Sequence, residues 1–130
     1  MNKQKISKIG LLCIRNKKLL VVYKPKIGLY ITPGGKIDPK ETYKECIKRE
    51  IYEELGCDAR NLTYFRTFKG LNEKSNILYL KCYFGYLQGK ITPKNEINNY
   101  IWIGRNYTNI PLGPILKNKI IPSLIRRGLM

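Results

Sequence analysis

The chain has 130 residues, with 25 Lys and Arg against 9 Asp and Glu, and a formal net charge of +16. Its hydrophobic content of 43% is enough for one core and excludes a disordered chain. The basic balance favours anionic partners such as nucleotides or nucleic acid, and the absence of His excludes Ser–His and Cys–His catalysis and ordinary His metal sites.

In chain order, residues 5–14 and 18–24 read as two strands joined by a hairpin turn at Asn16-Lys17-Lys18. The apolar stretch after Lys3, Lys5 and Lys8 meets Arg15 too soon for a signal peptide. Residues 28–32 form a short apolar stretch ending at Pro33-Gly34-Gly35, where two glycines after a proline indicate a tight turn. A helix is expected from about Lys40 to Leu55, with Thr42 capping it, Glu45 as capping-box partner and Gly56 as the stop. Strands follow over 61–69 and 76–88 with a polar loop between them. In the second, Leu78, Leu80, Cys82 and Phe84 alternate with Tyr79, Lys81, Tyr83 and Gly85. A last short strand, 100–103, surrounds Trp102. A helix over 114–127 carries Leu116, Ile120 and Leu124 on one side and is kinked or restarted at Pro122. This order predicts an α/β (α+β) fold in one domain spanning residues 1–130.

Cys13, Cys46, Cys57 and Cys82 form no CxxC pair and lie in apolar runs, so they read as reduced core residues. No apolar run approaches the ~20 residues of a membrane span. A soluble, cytoplasmic protein without a membrane partner is the expectation.

The acids are unevenly placed. Six of the nine lie between Gly35 and Cys57: Asp38, Glu41, Glu45, Glu50, Glu53 and Glu54. On a helical wheel centred on Ile47, with Tyr43, Ile51 and Leu55 on the core-facing arc, Glu54 falls about 20° away, Glu50 about 60° and Glu53 about 120°. Three glutamates thus border or interrupt the apolar stripe. Like charges ~6 Å apart repel by roughly 3 kcal/mol per pair at an effective dielectric of ~20, and partial burial adds to that. A cation held there would relieve both costs. The available donors are all oxygen, which selects Mg²⁺ or Mn²⁺ over Zn²⁺. A solvated glutamate run paired with Lys44 and Lys48 remains the alternative on wheel position alone.

The spacing narrows this choice. From Gly35 the chain reads Gly, five residues, Glu41, seven residues, Arg49-Glu50-Ile51, one residue, Glu53-Glu54, one residue, Gly56-Cys57. This pattern over 35–57, with Pro33-Gly34 leading into it, resembles the Nudix box of the Nudix hydrolases. The resemblance implies an α/β/α sandwich with a mixed sheet and an enzyme that hydrolyses a nucleoside diphosphate-linked substrate with a divalent metal. It implies metal or water-orienting roles for Glu50, Glu53 and Glu54, a backbone metal ligand at Gly35, and a loop-to-helix pair of Arg49 and Glu41. Glu50 is taken as the base, with Glu53 and Arg49 in the catalytic set. Glu96, before the Trp102 strand, matches an extra carboxylate that similar enzymes place in this loop. Lys36, Lys24 and Lys26 are candidate phosphate contacts, Lys36 foremost because its place in the motif sets it near the metal.

The substrate follows by elimination. Lys18 to Thr32 lacks the arginine motif of the coenzyme A subgroup. The absence of proline between Pro39 and Pro93 speaks against ADP-ribose members, and Leu71 to Ser75 offers no tyrosine of the dinucleoside polyphosphate kind. What remains resembles the short MutT-type group, which acts on nucleoside triphosphates, oxidised ones included, releasing the monophosphate and pyrophosphate. Tyr30, Tyr83 and Trp102 are candidate base-stacking residues, and Asn106 or Asn109 candidate readers of a purine edge. Two alternatives stand beside it: an RNA 5′-end pyrophosphohydrolase, whose RNA substrate the +16 charge would attract, and a catalytically silent nucleic-acid-binding module. The oligomeric expectation is a monomer or homodimer.

Overall fold

The computed structural model describes residues 5–130, so Lys3 lies outside the described residues. The first expected strand is divided at Cys13. Strand β1, Lys5–Leu12, belongs to one sheet, and the two-residue β2, Ile14–Arg15, turns back onto β3, Lys18–Lys24, in another. Asn16 and Lys17 take φ of 51° and 62°, the left-handed pair that a two-residue hairpin requires.

The first sheet has the order β5-β1-β7-β6, where β5 is Gly34–Lys36, β6 is Asp58–Leu71 and β7 is Ile77–Gln88. β1 and β7 run parallel and the other neighbours antiparallel, so the sheet is mixed. β6 is longer than the expected 61–69 because two register shifts let it bend and stay paired along β7. In the second sheet β3 pairs with β2, with β4, Leu29–Ile31, and with β8, Asn99–Ile103.

The tight turn expected at Pro33-Gly34-Gly35 is instead the start of β5. Gly34 and Gly35 lie opposite Gly10 and Ile9. Gly34 has φ of 147°, and a Cβ there would overlap the Ile9 carbonyl oxygen. The glycine is needed because two backbones approach closely, not because the chain reverses.

Helix α1, Tyr43–Leu55, begins three residues after Lys40 because Thr42 is its N-cap. The Thr42 N–H donates to Glu45 Oε1 at 2.8 Å and the Glu45 N–H donates to Thr42 Oγ1 at 3.1 Å, completing the capping box. Gly56 stops the helix in the left-handed conformation, with φ of 68°. Cys46, Ile47, Ile51, Glu54 and Leu55 are buried. Tyr43, expected on the core-facing arc, is 45% exposed. As the first residue of the helix it lies beyond the buried stripe, its ring 4.6 Å from the Lys81 ammonium.

Two apolar clusters lie on opposite faces of the sheets. One joins Ile47, Ile51 and Leu55 to Leu11, Leu20, Val22 and Tyr83. The other joins Leu12, Leu19, Val21 and Cys82 to Leu116, Ile120 and Leu124. Consecutive residues of β1 and β3, and Cys82 and Tyr83 of β7, enter opposite clusters, so the layers run helix, sheet, helix. All four cysteines are free and buried, as expected.

The C-terminal helix, expected to kink or restart at Pro122, instead runs unbroken over 114–126. A π-helical turn, Leu116–Ile120, precedes helix α2, Ile121–Arg126. Proline lacks an N–H and crowds the carbonyl four residues back, and the wider turn accommodates both defects. Among the described residues no helix is long and apolar enough to cross a membrane.

Candidate active site

The last turn of a helix leaves carbonyl groups without partners inside the helix. In α1 these groups capture the segment that follows β7. Thr92 N–H donates to the Leu55 carbonyl at 2.8 Å, Lys94 N–H to the Glu54 carbonyl at 2.9 Å, and Asn95 Nδ2 to the Glu53 carbonyl at 2.7 Å. This tether brings Glu96, distant in sequence, to the helix end. There its carboxylate lies 3.2 Å from Lys24 Nζ on β3.

Beside the tether is a cavity of about 440 Å³. Gly34, Gly35 and Lys36 of β5 line it together with Glu50 and Glu54 of α1, Lys24, Lys26 and Glu96. Its other wall is apolar, from Ile31, Leu80, Pro114, Ile115 and Leu116. The C-terminal residues reach it because Leu112 bridges to Tyr30, with Tyr30 N–H donating to the Pro111 carbonyl and Gly113 N–H to the Tyr30 carbonyl.

The carboxylates differ by environment. Glu54 is 7% exposed, and its Oε1 accepts the Gly34 N–H at 3.0 Å. Burial pushes its carboxyl up to about 8, against the opposing pull of that hydrogen bond. Burial also raises the pKa of Glu50, opposed by Arg49. A Cβ on Gly35 would collide with the Glu50 carboxyl, so glycine there leaves room for the carboxylate. Glu53 is half exposed and does not line the cavity. Glu53 and Glu54 lie in the last turn of α1, where no basic residue offsets the negative end of the helix dipole.

Arg49 organises the wet side of this group. Its Nε and Nη2 donate to the Glu41 carboxylate at 2.8–3.0 Å, and its Nη1 reaches Glu50 at 2.9 Å and Glu53 at 3.3 Å. These hydrogen bonds, led by those to Glu41, raise its pKa still further. The loop before α1 is thereby fastened to the helix, and two site carboxylates are held at one guanidinium.

Of the residues singled out in the sequence, Gly35, Lys36, Lys24, Lys26, Glu50, Glu54 and Glu96 share the cavity, while Arg49, Glu41 and Glu53 stand behind it. No three acidic or thiol side chains among the described residues form a ready-made metal cage. Glu50 and Glu53 face Arg49, Glu54 faces Gly34, and Glu96 faces Lys24. The donor chemistry nonetheless suits a hard divalent cation: Glu54, buried and of raised pKa, has no cation within ion-pair distance among the described residues, and Glu50 beside it shares Arg49 with Glu41 and Glu53.

The base-contact candidates are scattered. Tyr83 is buried with its ring edge-on to Tyr64, and Tyr30 packs on Tyr23. Trp102 and Asn106 line a separate open basin of about 520 Å³ with Lys17, Lys18, Arg105 and Tyr107, and the Arg15 guanidinium lies over the Trp102 ring. Asn109 lines neither cavity. Lys8, Thr32, Asn72 and Glu73, which line the carboxylate cavity, escaped the sequence reading. Lys8 and Glu73 each had a local signal, Lys8 as the charge before the apolar end of its strand and Glu73 as one of three acids outside residues 35–57.

Comparison with known proteins bears on the family and the fold. The family model described as "NUDIX domain" matches residues 5–123. Over 81 residues the chain is 31% identical to a Haemophilus influenzae (strain PittEE) protein named NAD-capped RNA hydrolase NudC, covering 62% of this chain and 30% of that relative. The match thus spans less than a third of the relative's length. Among solved structures, a MutT NUDIX hydrolase from Burkholderia pseudomallei superposes with a TM-score of 0.78 at 20% identity, covering 93% of this chain and 98% of the other. A structure described as a UDP-X diphosphatase superposes with a TM-score of 0.79 at 18% identity, covering 100% and 66%. At these identities the superpositions speak for the fold, and the family match speaks for descent: the chain belongs to the NUDIX domain family.

Proposed function

We propose that the cavity hydrolyses a nucleoside triphosphate to the monophosphate and pyrophosphate with the help of a divalent cation, Mg²⁺ or Mn²⁺. The observation that carries this reading is the meeting of Glu50, Glu54 and Glu96 with Lys24, Lys26 and Lys36 in one cavity. Carboxylates alone repel phosphate, and lysines alone bind it without activating water. Together they suit a phosphate anhydride bridged to a metal.

The Gly35 carbonyl and the carboxylates of Glu50, Glu54 and Glu96, which line the cavity, are the groups that would hold the cation, and Glu53 would join them by turning from Arg49. When bound, it withdraws charge from phosphate oxygens and makes the attacking water more acidic. Glu50 accepts the proton of that water; the water oxygen bonds to phosphorus, and the bridging oxygen leaves with pyrophosphate. Arg49 and Glu41 act as positioning residues that set the Glu50 and Glu53 side chains. Lys36 and Lys24 contact the phosphates as point charges. The test is turnover of a nucleotide panel with Mg²⁺ and Mn²⁺, scored for pyrophosphate against phosphate. Glu53→Gln and Glu54→Gln are each expected to lower turnover by about 100-fold or more; undiminished hydrolysis in both variants would rule the reading out.

The second reading is hydrolysis at the 5′ end of RNA. It is favoured by the basin at Trp102, where Lys17, Lys18 and Arg105 adjoin aromatic rings and no acid is among the lining residues. The similarity to a protein named as an NAD-capped RNA hydrolase supports it as well. Faster turnover of 5′-triphosphorylated or NAD-capped RNA than of every free nucleotide would decide for RNA. Steep salt-dependent RNA binding without cleavage of any substrate would decide for a silent binding module.

A further inference from the structure

Lys8 is the last charge of β1 before the strand turns apolar and buried at Ile9. It lies directly opposite Lys36 across the β1–β5 pair, and like charges in such a register repel. Lys24, from β3, lines the same cavity. Three strands therefore deliver three ammonium groups to one concave wall. Lys24 has a counter-charge in Glu96 at 3.2 Å. Among the described residues neither Lys8 nor Lys36 has a carboxylate within ion-pair distance. Lys8 is also partly buried, and burial followed by the charge of Lys24 lowers its pKa, with Glu73 and Glu96 of the same cavity pulling the other way without reaching ion-pair distance. An arrangement that sets cations against one another and withdraws one from water is stabilised by an anion bound between them.

The position of Lys8 says which part of an anion it meets. Lys36 adjoins Gly35 and the Glu50 carboxyl, where the scissile phosphates belong on the reading above. Lys8 lies one strand further on, between β5 and β7, opposite Leu80. On that reading Lys36 and Lys24 would serve a substrate with two phosphates, and a longer, more highly charged chain would continue to Lys8.

We infer that Lys8 is a specificity-determining residue that contacts the third phosphate and makes the cavity prefer triphosphates to substrates bearing two phosphates. This deepens the proposed hydrolysis and rests on it for the direction in which the substrate lies. The experiment compares wild type with Lys8→Met and Lys8→Arg. Values of kcat/KM are measured for a nucleoside triphosphate, a nucleoside diphosphate and NAD. Lys8→Met should lose about tenfold on the triphosphate, as for loss of a charge-assisted contact, and change little on the other two. Lys8→Arg should retain most of the triphosphate rate. An equal loss on all three substrates, or no loss on any, overturns the assignment.

A second arm does not depend on turnover. Binding of inorganic tripolyphosphate and of pyrophosphate to the EDTA-treated protein is measured by calorimetry. Wild type should prefer tripolyphosphate, and Lys8→Met should lose that preference. Absence of the preference in wild type overturns the inference even if nucleotides are hydrolysed. A Lys8-dependent preference in a protein that hydrolyses no nucleotide retains the anion site and overturns the proposed reaction instead.

Discussion

At the residue scale the two most informative groups are Glu54 and Arg49. Glu54 is buried at the negative end of a helix with one N–H for company. Its folded-state value of about 8 stands well above that of an exposed carboxyl. Between about 4.5 and 8 the folded, metal-free protein keeps a proton that the unfolded chain has lost. Its contribution to stability is therefore full below the ordinary carboxyl pKa and is lost as pH rises through about 8. Denaturant titration of EDTA-treated protein should show stability falling across this window, with a limiting slope of ~1.4 kcal/mol per pH unit. Glu54→Gln should flatten the slope, and excess Mg²⁺ should raise stability most at the alkaline end. Arg49 makes the opposite point, since its value lies in geometry. Lysine keeps the charge but cannot reach Glu41, Glu50 and Glu53 together. Arg49→Lys should lower kcat by about tenfold or more with little change in melting temperature; a KM effect alone would make Arg49 a substrate contact.

At the scale of elements, helix α1 was the most legible part of the chain. Thr42, Glu45 and Gly56 mark its ends through bonds made within a few residues, so the capping box and stop follow from local chemistry. Thr42→Ala should cost about 1 kcal/mol in urea unfolding. The same local reading misjudged Tyr43, because the wheel carries no information about where the sheet beneath the helix ends. It also misjudged Gly34-Gly35. Two glycines after a proline are equally compatible with a turn and with a strand pressed against a neighbour, and only the position of Ile9 decides between them. Gly34→Ala should accordingly disrupt β5, lowering the melting temperature by several degrees and reducing activity with it. A melting temperature within a degree of wild type would return the segment to a simple turn.

For the whole molecule, the site depends on segments far apart in the chain. The residues after β7 dock on the unsatisfied carbonyls at the end of α1, and this contact carries Glu96 to the cavity. Asn95→Ala removes the tether to the Glu53 carbonyl. It should reduce kcat/KM several-fold while the melting temperature falls by only a few degrees, as hydrolysis assays and thermal scans can check. The sequence by itself determined helix α1 with its caps, the core of strands β3, β7 and β8, the buried thiols and the grouping of Glu50, Glu53 and Glu54, because caps, periodicity and i, i+3, i+4 spacing are short-range properties. Even Glu96 was noticed, as an isolated acid in a basic chain. Only the tertiary structure decided that Glu53 stands outside the cavity, that Trp102 and Asn106 belong to a different basin, and that Lys8 joins Lys24 and Lys36. Those relations depend on strand register and on which face of each sheet a side chain enters, and both are settled by pairing between distant segments.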